Sequence, residues 1–517
     1  MSALQHEYAG FYIDGNWRPS SSTDALEVIS PATGKRIGVV PAATTEDIDA
    51  AVEAARRAFY ETDWPHRPVH ERAELCRNLA SLIADHQSEL ADLFTEEMGC
   101  THFLSDVYQA TAPTLHWNYY AAVGEQYQFA EVRESDLSAL AGAGGGGIVP
   151  FAGKSLVVKE PVGVVAAMCA YNFALACVAQ KGGPALMAGC AIVVKVPEQN
   201  PLAIFAMGDL ITEAGFPPGV FNIVAARAES SEHLVRHPDV DMVSFTGSTA
   251  VGKRIGEICG SLIRPCVLEL GGKSAAIVLP DAELEQALPA LVGASVGTNA
   301  GQSCVCLSRF LVPRERHDEI EAALAAAFEN LKVGDPTEAD TVVSPLISEG
   351  HRERVLGYVR KGVEEGAKLA TGGKVPDDQP DGWYVAPTLL SNATNDMTVA
   401  QEEIFGPVVV MIPYDDEEDA IRIANDSDYG LSGAVFTANA AHGFEVARRI
   451  RAGTYSVNTF AADFNSPFGG YKTSGIGREH GIAGFEGYLL TKTISVDPAS
   501  ELPPEVVTGV AAASAVA

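Results

Sequence analysis

The sequence predicts a multidomain α/β protein built on parallel sheets covered by helices. Its 517 residues exceed what one hydrophobic core usually serves. Residues 162–280 alternate short β-branched apolar runs with amphipathic segments, the pattern of parallel strands joined by crossover helices. A second series of the same kind runs from about residue 282 to 470.

Each element follows from its local pattern. From about residue 45 to 131 apolar positions recur every three or four residues, as in EDIDAAVEAARRAFY and ERAELCRNLASLIADHQSELADLFTEEMG, which predicts a helical layer. RESDLSALAGAGGGGIVPFAG then reads as a Gly/Ala loop, and KSLVVKEPVGVVAAMCAY as extended strands. In the first α/β series the strands are VGVVAAMCA, AIVVKV, VFNIV, DMVSF and SAAIVL. Between them KGGPALMAG, PLAIFAMGDLITEAG, SSEHLVRH and AVGKRIGEICGSLI read as helices. The second series offers LSRFLVP, GPVVVMIPY and GAVFT as strands, with EIEAALAAAFENL and EDAIRIAND as helices. Residues 498–517 show no periodicity and are expected to form a loosely held tail.

Composition removes several function classes. A hydrophobic share of 47% with 20% charged residues fits a globular enzyme. The formal net charge of −31 opposes nucleic-acid binding, because contact with phosphates needs a basic face. The 9 cysteines are sparse, odd in number and lack paired spacing, so a reducing cytoplasm is expected rather than a disulfide or zinc framework. The start carries no basic segment leading into an apolar stretch, and no eighteen-residue apolar run occurs, so neither export nor membrane spanning is expected.

Among the motifs, G-x-G-x-x-G occurs at Gly142, Gly144 and Gly147, but a polar segment precedes it and no helix follows, so it lacks the context of a dinucleotide fingerprint. Gly272-Lys273-Ser274 resembles the end of a P-loop, yet Val267 stands where its first glycine belongs. Gly247 and Ser248 follow the strand DMVSF and open a helix; they form either a simple N-cap or a pyrophosphate site at a helix N-terminus. Lys195 and Glu198 leave the strand AIVVKV at its carboxyl end, where open parallel sheets place ligands; there they are either solvated charges or partners of ribose hydroxyls.

Two further residues carry candidate chemistry. Cys304 follows Gly-Gln-Ser, a lead-in that suggests a tight turn exposing the thiol, whereas Cys76, Cys169, Cys190, Cys259 and Cys266 read as inert core cysteines. Cys306 is expected on the same face of a strand as Cys304, and without further ligands nearby the pair does not make a metal site. Glu269 ends the apolar strand PCVLEL; it is either a salt-bridged strand-end carboxylate or a working acid/base.

Taken together and in this order, EPVGVV, AYNFAL, KVPEQNPL, FTGSTAVGK, LELGGKS, GQSCVC, EEIFGPV and PFGGYKTSGIGRE resemble the aldehyde dehydrogenase superfamily over residues 10–497. The resemblance implies that Cys304 attacks an aldehyde, that Asn172 and the Cys304 backbone N–H hold the oxyanion, and that Glu269 activates water against the resulting thioester. It places Lys195 and Glu198 at the adenosine ribose, Ser248 at the pyrophosphate, and Glu403 and Phe405 at the nicotinamide end. It links Lys181 and Glu479 to Glu269 in a proton path.

Where relatives usually carry Pro-Trp-Asn-Phe-Pro, this chain has Ala170-Tyr171-Asn172-Phe173-Ala174, so the funnel shape is expected to differ. Phe173, Cys177, Phe468 and the stretch 460–464 are expected to line it, favouring an apolar or aromatic aldehyde. Glu198 would repel a 2′-phosphate, so NAD is preferred, with NADP as the alternative.

The implied architecture is a Rossmann-like NAD-binding domain (8–136 and 162–270), a catalytic α/β domain (271–484), and a small β oligomerisation element (137–161 and 485–497) that would make a homodimer or homotetramer. A CoA-acylating or reductive relative and a non-catalytic protein of the same fold are the competing functions; Glu269 argues against the first and the intact catalytic set against the second.

Overall fold

The β-branched runs of the first series pair in parallel because both of their faces are covered. In the computed structural model, which describes residues 5–134, 153–379, 381–461, 463–497 and 500–502, Val164–Met168 and Phe221–Ala225 are buried at every position. Such strands read as continuous apolar runs rather than alternating ones.

The first sheet has eight strands. Its order is Gly475–Ile476, Cys266–Glu269, Met242–Thr246, Val164–Met168, Ala191–Val196, Phe221–Ala225, Gly10–Ile13 and Asn16–Pro19. The five central strands run parallel, and the strands outside them join by antiparallel pairing. From Val164–Met168 the chain winds outward through Ala191–Val196 to Phe221–Ala225, then crosses back to Met242–Thr246 on the other side. The strand order therefore reverses between Val164–Met168 and Met242–Thr246. Open α/β sheets form their ligand crevice at such a switch point, outside the carboxyl ends of the strands.

The second sheet has seven strands, in the order Lys368–Thr371, Thr388–Ser391, Val408–Tyr414, Leu307–Pro313, Ser274–Val278, Gly433–Phe436 and Ser456–Val457. All neighbours in this sheet are parallel except the first pair. Side chains alternate between its faces: Ile277, Leu311, Val410 and Val435 pack into one core, and Val278, Phe310, Met411 and Phe436 into the other.

A third sheet has Lys154–Pro161 at its centre, flanked by Leu489–Val496 and Ala130–Glu134, both antiparallel to it. The resemblance implies a small β element over residues 137–161 and 485–497, and the structure adds a strand before residue 137. That strand is AEVRE, whose charged outer half gives no apolar alternation to announce it. Residues 135–152, with the glycine pattern at 142–147, lie outside the described residues, as do Ala462 and most of the expected tail. Among the described residues no helix is long and apolar enough to cross a membrane.

Candidate active site

At the switch point a cleft of about 820 Å³ opens. It is bordered by Met168, Lys195, Thr246 and Glu269, each the end or the last-but-one residue of a parallel strand of the first sheet. The same cleft takes in Asn172, Glu198, Gly247, Ser248, Cys304, Glu403 and Phe405. Residues that the sequence scatters over more than two hundred positions thus meet in one place. Lys181, Glu479, Phe173, Cys177 and Phe468 are not part of its lining.

Cys304 sits in a turn that the chain enters through three left-handed residues, Asn299 (φ 50°), Ala300 (φ 51°) and Gly301 (φ 74°). Two of these carry a Cβ, so the conformation must be held by its surroundings. Gln302 does much of the holding: its Nε2 donates to the carbonyls of Asn299 (3.1 Å) and Pro345 (3.3 Å), and its Oε1 accepts from the Ile347 N–H (2.9 Å). Asn172 Nδ2 donates to the Gln302 carbonyl at 3.1 Å, which ties it to the same turn. A Cβ at Gly272 would come within 2.3 Å of the Cys304 carbonyl, so this glycine lets the two motifs touch.

Cys304 itself is half-buried. Burial, and then the carboxylates of Glu403 and Glu269, hold its thiol above the usual range. Cys306 corrects an expectation: it does not share a strand face with Cys304. Its N–H closes the turn on the Ser303 carbonyl (3.1 Å), the strand begins only at Leu307, and the buried Cys306 Sγ donates to the Ser295 carbonyl. Cys266 also differs from its reading as a core residue, being half-buried.

Glu269 is 3% exposed, and neither carboxyl oxygen has a hydrogen-bond partner among the described residues. Burial, then the charge of Glu479, raises its pKa well above the ordinary carboxylate value. Gly469 leaves room for it, since a Cβ there would lie 2.5 Å from Glu269 Oε1. Nearby, Lys181 Nζ pairs with Glu479 Oε1 at 2.5 Å, both side chains being buried. Lys181 also donates to Ser244 Oγ (3.3 Å), which accepts from the Tyr488 hydroxyl (3.1 Å). Burial alone would lower the Lys181 pKa, but Glu479 reverses this and the ammonium is held.

Because the pair is buried, removing one partner leaves the other charge stranded. Lys181→Met is expected to destabilise the protein by about 3–5 kcal/mol in denaturant unfolding, with much of the loss recovered when Glu479→Gln is added. Equal losses in the single and double variants would refute a coupled pair.

The remaining candidates are placed as follows. Ser248 caps the helix Thr249–Leu262, its Oγ accepting from the Val251 N–H. Glu198 lies 3.8 Å from Arg227, which also pairs with Asp24. Glu403 Oε1 accepts from the Gly272 N–H at 2.9 Å. Phe405 has φ 63° and is steadied by His351, whose Nε2 donates to its carbonyl at 2.6 Å. Arg354 donates to the carbonyls of Glu403 and Ile404, both at 2.8 Å.

Phe173 packs on Tyr108 with ring centroids 5.5 Å apart, and Phe468 on His480 at 5.3 Å. Cys177, expected at the funnel wall, is only 3% exposed. Among the described residues Asp49, His233 and His237 come close enough to suggest a metal site. His237 Nδ1 already accepts from the Asp239 N–H, which leaves its Nε2 as a donor toward Asp49 rather than a free ligand.

A sequence model of the aldehyde dehydrogenase family matches residues 17–494. The chain belongs to this family. It is 38% identical to geranial dehydrogenase of Castellaniella defragrans over 491 residues, covering 95% of this chain and 99% of that one. It is 40% identical to 3-succinoylsemialdehyde-pyridine dehydrogenase of a Pseudomonas species, covering 94% and 98%. Among solved structures, a Mycobacterium tuberculosis aldehyde dehydrogenase complexed with NAD+ is similar with TM-score 0.91 and 42% identity, covering 96% and 99%.

Sequence reasoning missed three residues of this dehydrogenase that shape the cleft. His351 and Arg354 act on Phe405 and Glu403 from a helix about fifty positions earlier, and Gln302 works through backbone carbonyls. No local pattern announces such contacts.

Proposed function

We propose that the chain oxidises an apolar or aromatic aldehyde to its carboxylic acid with NAD as acceptor, NADP being the weaker alternative. The observation that carries this is the convergence of Cys304, Asn172 and Glu269 on one cleft at the switch point. Cys304 gives its thiol proton to water in the cleft and its Sγ attacks the aldehyde carbon; the S–H bond breaks, a C–S bond forms and the carbonyl π pair moves to oxygen. Among the described residues Asn172 spends one Nδ2 hydrogen on the Gln302 carbonyl, and the other is assigned to that oxyanion. Glu269 then takes a proton from water, which attacks the thioester and expels the Cys304 sulfur. The Lys181–Glu479 pair beside Glu269 is assigned to relaying that proton.

The residues present fit a dinucleotide. The N-terminus of Thr249–Leu262 opens at Ser248 into the cleft, Lys195 and Glu198 share it, and its volume lies in the range that holds a cofactor. When bound, the nicotinamide supplies the two-electron acceptor for the oxidation. Glu403 and Phe405 are assigned to its ribose and ring. Residues 8–136 and 162–270 are assigned to the cofactor domain, 271–484 to the catalytic domain, and the third sheet, with Leu490 and Ile494 half exposed, to a homodimer or homotetramer contact.

The substrate class draws support from relatives: geranial and a pyridine semialdehyde appear in two of their names, and octanal is bound in a Pseudomonas syringae structure 35% identical to this chain. Release of free acid without CoA tests the reaction; strict dependence on CoA would overturn it. For the cofactor, Glu198→Gln is expected to raise the NADP-to-NAD ratio of kcat/KM by about tenfold, since it removes a like charge and frees Arg227 for the phosphate. An unchanged ratio would remove Glu198 from that role.

A further inference from the structure

Two buried histidines that the chemistry above does not use meet beside the aromatic side of the site. His116 is fully buried and His480 is 5% exposed; their ring centroids lie 4.9 Å apart. Phe464 packs on both, at 4.4 Å from His116 and 5.8 Å from His480, and Phe468 packs on His480.

Both rings are short of a hydrogen-bond partner among the described residues. His116 Nε2 faces Gln180 Nε2 at 3.4 Å, and an amide nitrogen only donates, so the His116 proton belongs on Nδ1. That Nδ1 has no hydrogen-bond partner among the described residues, and neither has His480 Nε2. Buried polar groups are normally satisfied, so two unsatisfied ones on adjoining rings leave hydrogen-bonding capacity for a further partner.

Position puts His480 near the Lys181–Glu479 pair, which in turn lies near Glu269. His480 follows Glu479, Gln180 precedes Lys181, and Phe468 precedes the glycine against Glu269. Burial lowers the pKa of both imidazoles, that of His116 to about 3, so they are neutral. Lys181 is taken by Glu479, and Asp463 adds negative charge near His480. An anionic tail would therefore be repelled, and imidazoles that burial makes hard to protonate are poor proton carriers.

We propose that His116 and His480 recognise a neutral hydrogen-bond acceptor, a hydroxyl oxygen or ring nitrogen, on an aromatic aldehyde whose ring lies against Phe464 and Phe468. This rests on the aldehyde reading above.

The test compares kcat/KM for benzaldehyde, para-hydroxybenzaldehyde and a pyridine carbaldehyde. In His116→Phe and His480→Leu the preference for the polar aldehydes over benzaldehyde is expected to fall about 10–100-fold. His116→Gln, which keeps a donor, should restore part of it and guards against misfolding. Phe468→Ala, which removes a ring that the proposal lays the substrate on, serves as the control for aromatic contact and should raise KM for every aromatic aldehyde. If it does so while the histidine variants change all three substrates equally, the recognition site falls and the aromatic contact at Phe468 stands. If none of these variants alters any aldehyde's constants, both readings fall. A shift in the pH profile of kcat common to all substrates would favour a proton outlet and overturn the proposal.

Discussion

Cys304→Ala is expected to lower steady-state aldehyde oxidation by at least about ten-thousand-fold, because the proposed covalent route has no second nucleophile. Cys306 cannot stand in: it is buried behind the turn with its thiol on the Ser295 carbonyl. Cys306→Ser should accordingly be mild. The Cys304→Ala variant should still fold, since Cys304 is half-buried and the turn is held by Gln302 rather than by the thiol. In the wild type, burial and the carboxylates of Glu403 and Glu269 hold the thiol above its usual range. Less thiolate is then present at neutral pH, so alkylation of Cys304 by iodoacetamide should keep rising with pH beyond neutrality. Retained oxidation in Cys304→Ala would overturn the mechanism.

What the sequence revealed, it revealed through periodicity and order. Runs such as AIVVKV and DMVSF were legible because strands buried on both faces need continuous apolar residues. The AEVRE strand was not, because an exposed edge imposes no such pattern. Cys304 and Glu269 stood out locally as a turn cysteine and a carboxylate in an apolar strand, but their shared cleft depends on the fold bringing two sheets together. His116 and His480 are bland in sequence. Only their contact, with two ring nitrogens left unpaired among the described residues, marks them.

Glu269→Gln is expected to separate the two halves of the reaction. Glutamine keeps the shape but cannot take a proton from water, so deacylation should slow by about 10²–10⁴-fold while attack by Cys304 proceeds. Mixing enzyme with NAD and aldehyde should give a burst of NADH close to one per Cys304, followed by a slow steady rate, and mass spectrometry should find the acyl group on Cys304. The fold should tolerate the change, because neither Glu269 oxygen has a hydrogen-bond partner among the described residues to lose. The pH dependence follows from the same burial. The working base is the ionised carboxylate, and burial with the Glu479 charge raises its pKa well above the ordinary value. The ionised fraction therefore grows only as pH climbs past that raised value, and wild-type deacylation should fall off on the acid side where an exposed glutamate would still be charged. In Glu269→Gln that acid limb should vanish from the residual rate. A variant that shows no burst and no acyl-enzyme, with the acid limb intact, would take the water-activating role away from Glu269.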